Sequence, residues 1–268
     1  MKKPWDNTIN NFFHSILYYL KFFLSSMLYV VPTPIGNTED ITLRALRLFR
    51  EIDYIVTENT STTKKLLSIY DIPYKDKKFI KFTSHDHKHI HTIVSQLENQ
   101  DGILVSEAGT PWLSDPGKML IVWCQRSNIS TTVLPGATAL IPAVINAGFH
   151  TTHRTFAGFL PHKKGRETAI KTMMKSDHAT FFYESVHRVP KLIQQLEKAN
   201  FMGMISLSRE VSKHFEQCIT GDLVTIQAAI QNNSIPMKGE FVIGIYPYNN
   251  DEKVQIDTLD SFDETSDS

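Results

Sequence analysis

The sequence predicts an α/β protein of two consecutive domains, each a sheet carrying helices. Three observations predict it. Apolar runs of four or five residues, the length of buried strands, alternate with segments whose apolar residues recur at helical spacing. The run 102–106 opens directly into a loop punctuated by Gly109, Pro111, Pro116 and Gly117, the kind of loop with which open sheets hold ligands at strand ends. The alternation pauses at a polar stretch, 149–154, and then resumes.

Residues 1–26 set Phe12, Phe13, Ile16, Leu17, Leu20, Phe23 and Leu24 opposite His14, Tyr18, Lys21 and Ser25, an amphipathic N-terminal extension. It is too short and too interrupted to be a transmembrane span, and it lacks a small-residue cleavage site. Docking on the body and weak contact with a membrane surface are both open to it. Met27 is an alternative start, immediately before the first strand. Strands follow over 28–31, 54–57, 79–82, 103–106 and 132–134, with helices between them over 41–52, 62–70, 90–97 and 118–126, the first capped by Asp40. This spacing argues for a parallel sheet covered on both faces. A helix over 137–147 ends at Gly148 and closes an N-terminal α/β domain, 27–148.

The second α/β domain, 149–248, carries strands over 155–159, 179–183, 204–208 and 241–246, a further one around 215–220, and helices over 166–174, 190–198 and 223–231. The tail, 249–268, holds seven acids against one base and few large apolar residues, so it is expected to be disordered. The zero formal net charge therefore hides a modestly basic body, with 27 bases against 21 acids, compatible with an RNA partner. Cys124 and Cys218 stand far apart in apolar contexts and read as buried thiols of a reducing compartment.

Among 12 glycines no Gly-x-Gly pair occurs, which excludes the usual dinucleotide fingerprint and the Gly-rich motif of Rossmann-type methyltransferases. A P-loop, a Gly-x-Ser-x-Gly elbow and a His-Glu-x-x-His zinc motif are also missing. Glu58 ends an apolar strand at the ligand-facing edge and is a candidate general base. His85, His87, His89 and His91 would share one face of a strand, or pair 85/89 and 87/91 on a helix; the pattern is not read as a metal site, and His85 or His87 is a candidate substrate contact. Lys163, Lys164 and Arg166 flank Gly165, and with Arg188, Arg209 and Lys213 they form either a phosphate-binding strip or an ordinary solvated surface.

A resemblance is carried by several segments in register. They are Leu28-Tyr-Val-Val-Pro32-Thr33-Pro34-Ile35-Gly36-Asn37, Asp40-Ile41-Thr42-Leu43-Arg44-Ala45-Leu46, the loop 106–117 and Leu134-Pro135-Gly136-Ala137-Thr138-Ala139-Leu140. Further on come Phe156-Ala-Gly158-Phe159-Leu160-Pro161, Phe182-Tyr183-Glu184-Ser185-x-His187-Arg188, Arg209-Glu210 with Lys213, and Lys238-Gly239-Glu240-Phe241. Over about residues 28–246 the chain resembles the bacterial ribosomal RNA small subunit methyltransferase I family, within the tetrapyrrole (corrin/porphyrin) methylase superfamily.

The resemblance implies two α/β domains of tetrapyrrole-methylase type with a cofactor cleft between them. It implies an S-adenosyl-L-methionine-dependent enzyme that methylates the ribose 2′-oxygen of a decoding-centre cytidine in 16S rRNA of the small ribosomal subunit, in the cytoplasm and as a homodimer. Positions matching the family's cofactor pocket are Pro32, Gly36, Glu107, Ala108, Gly109, Thr110, Gly136, Thr138, Phe182, Tyr183 and Gly239. Glu184 and His187 join Glu58 as catalytic candidates. Trp112 is placed to stack on a base or on adenine, or to pack beneath its loop. The chain departs from the family at Asn59 and Ser61, where an acid and an arginine are usual, at Glu107, usually Asp, at His162, usually Arg, and at Val186, usually Pro. Two other readings compete: a tetrapyrrole methyltransferase of the same fold, and a degenerate RNA-binding homologue.

Overall fold

The computed structural model describes residues 26–83, 89–113 and 118–248. All of the N-terminal extension but its last residue, the acidic tail, His85, His87 and the end of the loop 106–117 lie outside the described residues. The chain divides into two units. One comprises Met1–Pro34 and Glu39–Ala137, the other Ile35–Thr38 and Thr138–Ser268.

Among its described residues the first unit holds five strands, β1 (Met27–Val30), β2 (Tyr54–Thr57), β3 (Lys78–Lys81), β4 (Gly102–Val105) and β5 (Ser130–Val133), in the order β3-β2-β4-β1-β5. All neighbours run parallel. Parallel strands require crossovers, supplied by α1 (Leu43–Glu51), α2 (Thr60–Ile69), α3 (Ile90–Leu97) and α4 (Lys118–Arg126). The apolar runs are continuous because both faces are covered. Leu28, Val30, Tyr54, Val56 and Leu104 pack with Ile90, Ile93, Val94, Leu97, Leu120 and Cys124 of α3 and α4. Ile55, Ile103 and Val105 pack with Ala45, Leu48, Phe49 and Leu67 of α1 and α2. Burying each of the Val, Leu, Ile and Phe side chains among them is worth about 1.5–3 kcal/mol.

Two helix starts differ from expectation. The cap of α1 is Thr42, whose hydroxyl accepts from the Ala45 N–H at 3.1 Å, while Asp40 closes a 3-10 turn, Thr38–Asp40. Helix α2 begins two residues early because Asn59 accepts from the Ser61 N–H at 3.1 Å and the Thr62 N–H at 3.4 Å. Both follow from the preference for a short polar side chain just ahead of the first turn.

The second unit opens with α5 (Leu140–Asn146) and holds β6 (Arg154–Phe159), α6 (Arg166–Met174), β7 (Ala179–Ser185), α7 (Val189–Lys198), β8 (Gly203–Arg209), β9 (Gln217–Gly221), α8 (Leu223–Gln231) and β10 (Glu240–Pro247). The strand order is β6-β7-β10-β8-β9, with β6 and β7 parallel and the remaining pairs antiparallel. One face packs Phe182, Ile205, Leu207, Phe241, Ile243 and Ile245 against α6, α7 and α8. The other packs Phe181 and Tyr246 with Phe149 and with Leu140 and Val144 of α5. That contact moves the boundary from 148/149 to Ala137/Thr138: helix α5 covers the second sheet.

Cys124 is buried, and burial pushes its thiol up to about 11. Cys218 is exposed instead of buried, because β9 is the edge strand, and its Sγ lies 3.4 Å from Ser208 Oγ.

Candidate functional site

The carboxyl ends of β1, β4 and β5 lie side by side in the first sheet, and their loops lock together. Thr33 and Gly109 exchange both backbone hydrogen bonds, at 3.0 and 2.9 Å, forming an isolated antiparallel bridge between the loops after β1 and β4. Gly109 sits at φ 78°, a left-handed conformation that favours glycine. The Thr110 hydroxyl donates to the Ala137 carbonyl at 3.0 Å, and Gly136 admits Pro32, whose Cβ would lie 2.5 Å from a side chain there. Pro32, Gly109, Thr110 and Gly136 thus meet in one loop cluster. Thr33 Oγ1 is buried within it with no hydrogen-bond partner among the described residues.

Beside this cluster two carboxylates are organised by backbone and amide. Glu58 Oε2 accepts from the Glu107 N–H at 3.2 Å. Glu107 Oε1 accepts from Asn59 Nδ2 at 3.2 Å and from the Thr62 hydroxyl at 3.3 Å. The two departures from the family pattern, at 59 and 107, therefore touch: the amide turns what would be a second carboxylate into a donor. Glu107 and Ala108 are exposed and Glu58 is half-buried. The sequence reads Asn59 as a lost acid and gives no sign of the role of Thr62, while Thr33 lies in the 32–37 loop that matches the cofactor pocket.

The second unit rearranges several expectations. Strand alternation puts Phe182 and Glu184 on the face beneath the helices, and Phe182 is sealed in the core. Tyr183 faces the other way, against Phe156 and Phe159 with ring centroids 5.1 and 5.3 Å away. Glu184, with a side chain 0% exposed, pairs with Arg166 at 2.7 Å and Arg188 at 2.5 Å, and the Arg166 side chain is 4% exposed. Neither Glu184 as a base nor Arg166 as a phosphate contact can meet a substrate. Arg188 keeps part of its surface and lies 2.7 Å from His162 Nδ1. His187, Lys163 and Lys164 are exposed.

Arg209 is also buried, donating to the carbonyls of Lys238 at 2.7 Å and Phe215 at 2.9 Å, which pins two loops. Lys213 is held between Glu210 at 3.0 Å and Glu240 at 2.9 Å. Burial alone would lower its pKa, but the two carboxylates raise it. Burial likewise pushes Glu210 up, yet the Glu240 N–H and Lys213 outweigh it and hold the carboxyl below its usual range. The Lys213 charge is spent on this pair of acids and leaves the phosphate strip. Gly239, at φ 85°, passes close over Glu210, and Gly36 over Ser212, so both glycines serve contacts within the chain. The Thr138 hydroxyl accepts from the Leu140 N–H at 3.3 Å at the start of α5.

Comparison with known proteins decides the family. The sequence profile of the tetrapyrrole (corrin/porphyrin) methylases matches residues 27–227. The chain belongs to that family. Within it, ribosomal RNA small subunit methyltransferase I of Pasteurella multocida is 35% identical over 226 residues, 82% of this chain and 79% of that protein. The protein so named from Hydrogenobaculum sp. is 36% identical over 226 residues, 81% of this chain and 94% of that one. These similarities place the chain in the ribosomal RNA small subunit methyltransferase I branch of the methylase family. Solved structures share the fold at low identity. Diphthine synthase aligns with a TM-score of 0.62 at 15% identity, covering 83% of this chain and 90% of that one. A cobalt precorrin-4 methyltransferase aligns at 0.59 and 13%, covering 82% and 94%.

A methylase of this family needs a place for a methyl donor, and the loop cluster of the first unit is the candidate for it. The cluster offers a buried Thr33 hydroxyl with no partner among the described residues and closely packed glycine backbone, and beside it stand two carboxylates suited to a positively charged ligand.

Proposed function

We propose that this chain methylates small-subunit ribosomal RNA, using S-adenosyl-L-methionine, at the ribose 2′-oxygen of a decoding-centre cytidine. The observation that carries the reading is identity of about one third with small subunit methyltransferase I relatives across four-fifths of the chain. The homodimer and the cytoplasmic setting implied by the resemblance belong to the same proposal. No helix among the described residues is long and apolar enough to cross a membrane.

The cofactor, when bound, supplies an electrophilic methyl group on a sulfonium. The residues present would hold it through the Thr33 hydroxyl, the Pro32, Gly109, Thr110 and Gly136 loops, and the carboxylate of Glu107, which Asn59 and Thr62 fix in place. A ribose hydroxyl is a weak nucleophile, so holding it in line with the methyl group contributes most, up to about 7–11 kcal/mol. Its proton must pass to a base, worth roughly 10²–10⁴-fold. With Glu184 buried, Glu58 and His187 are the two candidates left.

The test is transfer of labelled methyl from S-adenosylmethionine to small ribosomal subunits, followed by digestion to nucleosides. Label in 2′-O-methylcytidine is expected. Label in a base-methylated nucleoside, or transfer to a tetrapyrrole and not to RNA, would reject the assignment, and failure to bind the cofactor would favour a degenerate RNA-binding protein.

Two variants probe the parts. Asn59→Asp sets a carboxylate against Glu107 and removes a charge-assisted hydrogen bond worth about 1.5–3 kcal/mol. Calorimetry should show cofactor affinity about 10- to 100-fold weaker, partly regained when Glu107→Asp withdraws the second acid. Unchanged affinity would separate this acid pair from the cofactor. Lys163→Glu with Lys164→Glu should weaken rRNA binding and lower its log–log salt slope by up to about 2, with cofactor affinity intact. An unaltered slope would take that loop off the RNA face.

A further inference from the structure

One residue of the site loop is held in a conformation its side chain resists. The Leu113 N–H bonds to the Thr110 carbonyl at 3.3 Å, closing a four-residue turn with Pro111 and Trp112 at its centre. Trp112 has φ 72°, and the third position of a proline-led turn with positive φ ordinarily goes to glycine. A bulky residue there is an outlier, and such strain persists only where neighbouring contacts impose it. They do here: Pro111 is buried, Thr110 is tied to Ala137, and Gly109 is bridged to Thr33.

Packing repays the strain only in part. Trp112 is 43% exposed. Trp123 shows the contrast: its ring packs edge-on to His91 at 4.6 Å and lies under Arg126 at 5.8 Å. Trp112 makes no ring contact of that kind among the described residues. It stands on the same loop as the exposed Glu107 and Ala108, at the carboxyl edge of β4.

We propose that Trp112 is a stacking platform for a nucleobase presented to this loop. The inference rests on the methyltransferase reading above, which supplies two such rings, a base of the RNA substrate and the adenine of the cofactor. Indole is the best of the side chains for this contact, because it offers a wide π-face to any base without reading its edges. A left-handed backbone at Trp112 is then the means of keeping that face outward.

Trp112→Gly and Trp112→Phe test it, with anisotropy on an rRNA fragment spanning the decoding centre and calorimetry with S-adenosylmethionine. Trp112→Gly suits the turn, so its Tm should match or exceed that of the wild type. Loss of a stacked base should weaken binding about 5- to 100-fold. Confinement of that loss to RNA assigns the platform to the substrate; confinement to S-adenosylmethionine assigns it to adenine. Trp112→Phe should keep most of the affinity. If Trp112→Gly binds both ligands within twofold of wild type, or its Tm falls markedly, the indole is packing and the inference is overturned. A wild-type protein that bound neither ligand would instead overturn the methyltransferase reading, and this inference with it.

Discussion

Glu184→Ala is expected to destabilise the second unit by about 3–5 kcal/mol, the usual result of stripping one partner from a buried ion pair. At roughly 2–4 °C per kcal/mol for a chain of this size, the Tm should fall by about 6–20 °C. The magnitude follows from what is left behind. Arg166 keeps a buried guanidinium whose other contact is Gln195 Oε1 at 3.4 Å, and Arg188 loses the carboxylate 2.5 Å from its Nε. A double replacement, Arg166→Met with Glu184→Leu, should recover most of the loss, since an apolar pair of similar volume removes both desolvation penalties. Thermal and urea unfolding measure both. A loss under about 1 kcal/mol for Glu184→Ala would mean water reaches the carboxylate, and Glu184 would return as a candidate base.

That outcome bears on how much of the molecule could be read from sequence. Helices α4, α6 and α8 begin and end where apolar periodicity and flanking turns predict. Local pattern also suggests two units with a boundary at 148/149, whereas the chain divides at Ala137/Thr138 and helix α5 packs on the second sheet. The apolar stripe of α5 says that the helix will be covered; it does not say by which sheet, and Phe181 and Tyr246, far along the chain, decide that. Four charged candidates, Glu184, Arg166, Arg209 and Lys213, have partners within the chain for a related reason. Glu184 follows two residues after Phe182 on the same strand, so a period of two already put both on one face. Its partner Arg166 comes from another element, and only the fold brings the charges together. The loops with glycine and proline were legible because their composition dictates conformation. The bond from Asn59 to Glu107 was not, since 48 residues separate its ends.

Gly109→Val should cut cofactor affinity by at least about 100-fold while the first unit stays folded. Gly109 supplies both an N–H and a carbonyl to Thr33, and it does so at φ 78°. A β-branched residue resists that region strongly, at a cost of about 1–3 kcal/mol for the backbone alone. To relax, the loop must rotate the Gly109 peptide, which breaks the bridge and shifts Thr33 and Glu107 with it. The effect should appear mainly in binding, because the sheet beneath, from Gly102 to Val105, is paired on both sides by β1 and β2. Gly148→Val provides the control. Gly148 has φ 63° with nothing within 4 Å of an added Cβ, so it carries a similar backbone conflict after α5 without a part in the loop cluster. Both variants should lose comparable stability in urea, and only Gly109→Val should lose S-adenosylmethionine in calorimetry. Equal affinities in the two would place the methyl donor away from the Thr33–Gly109 bridge.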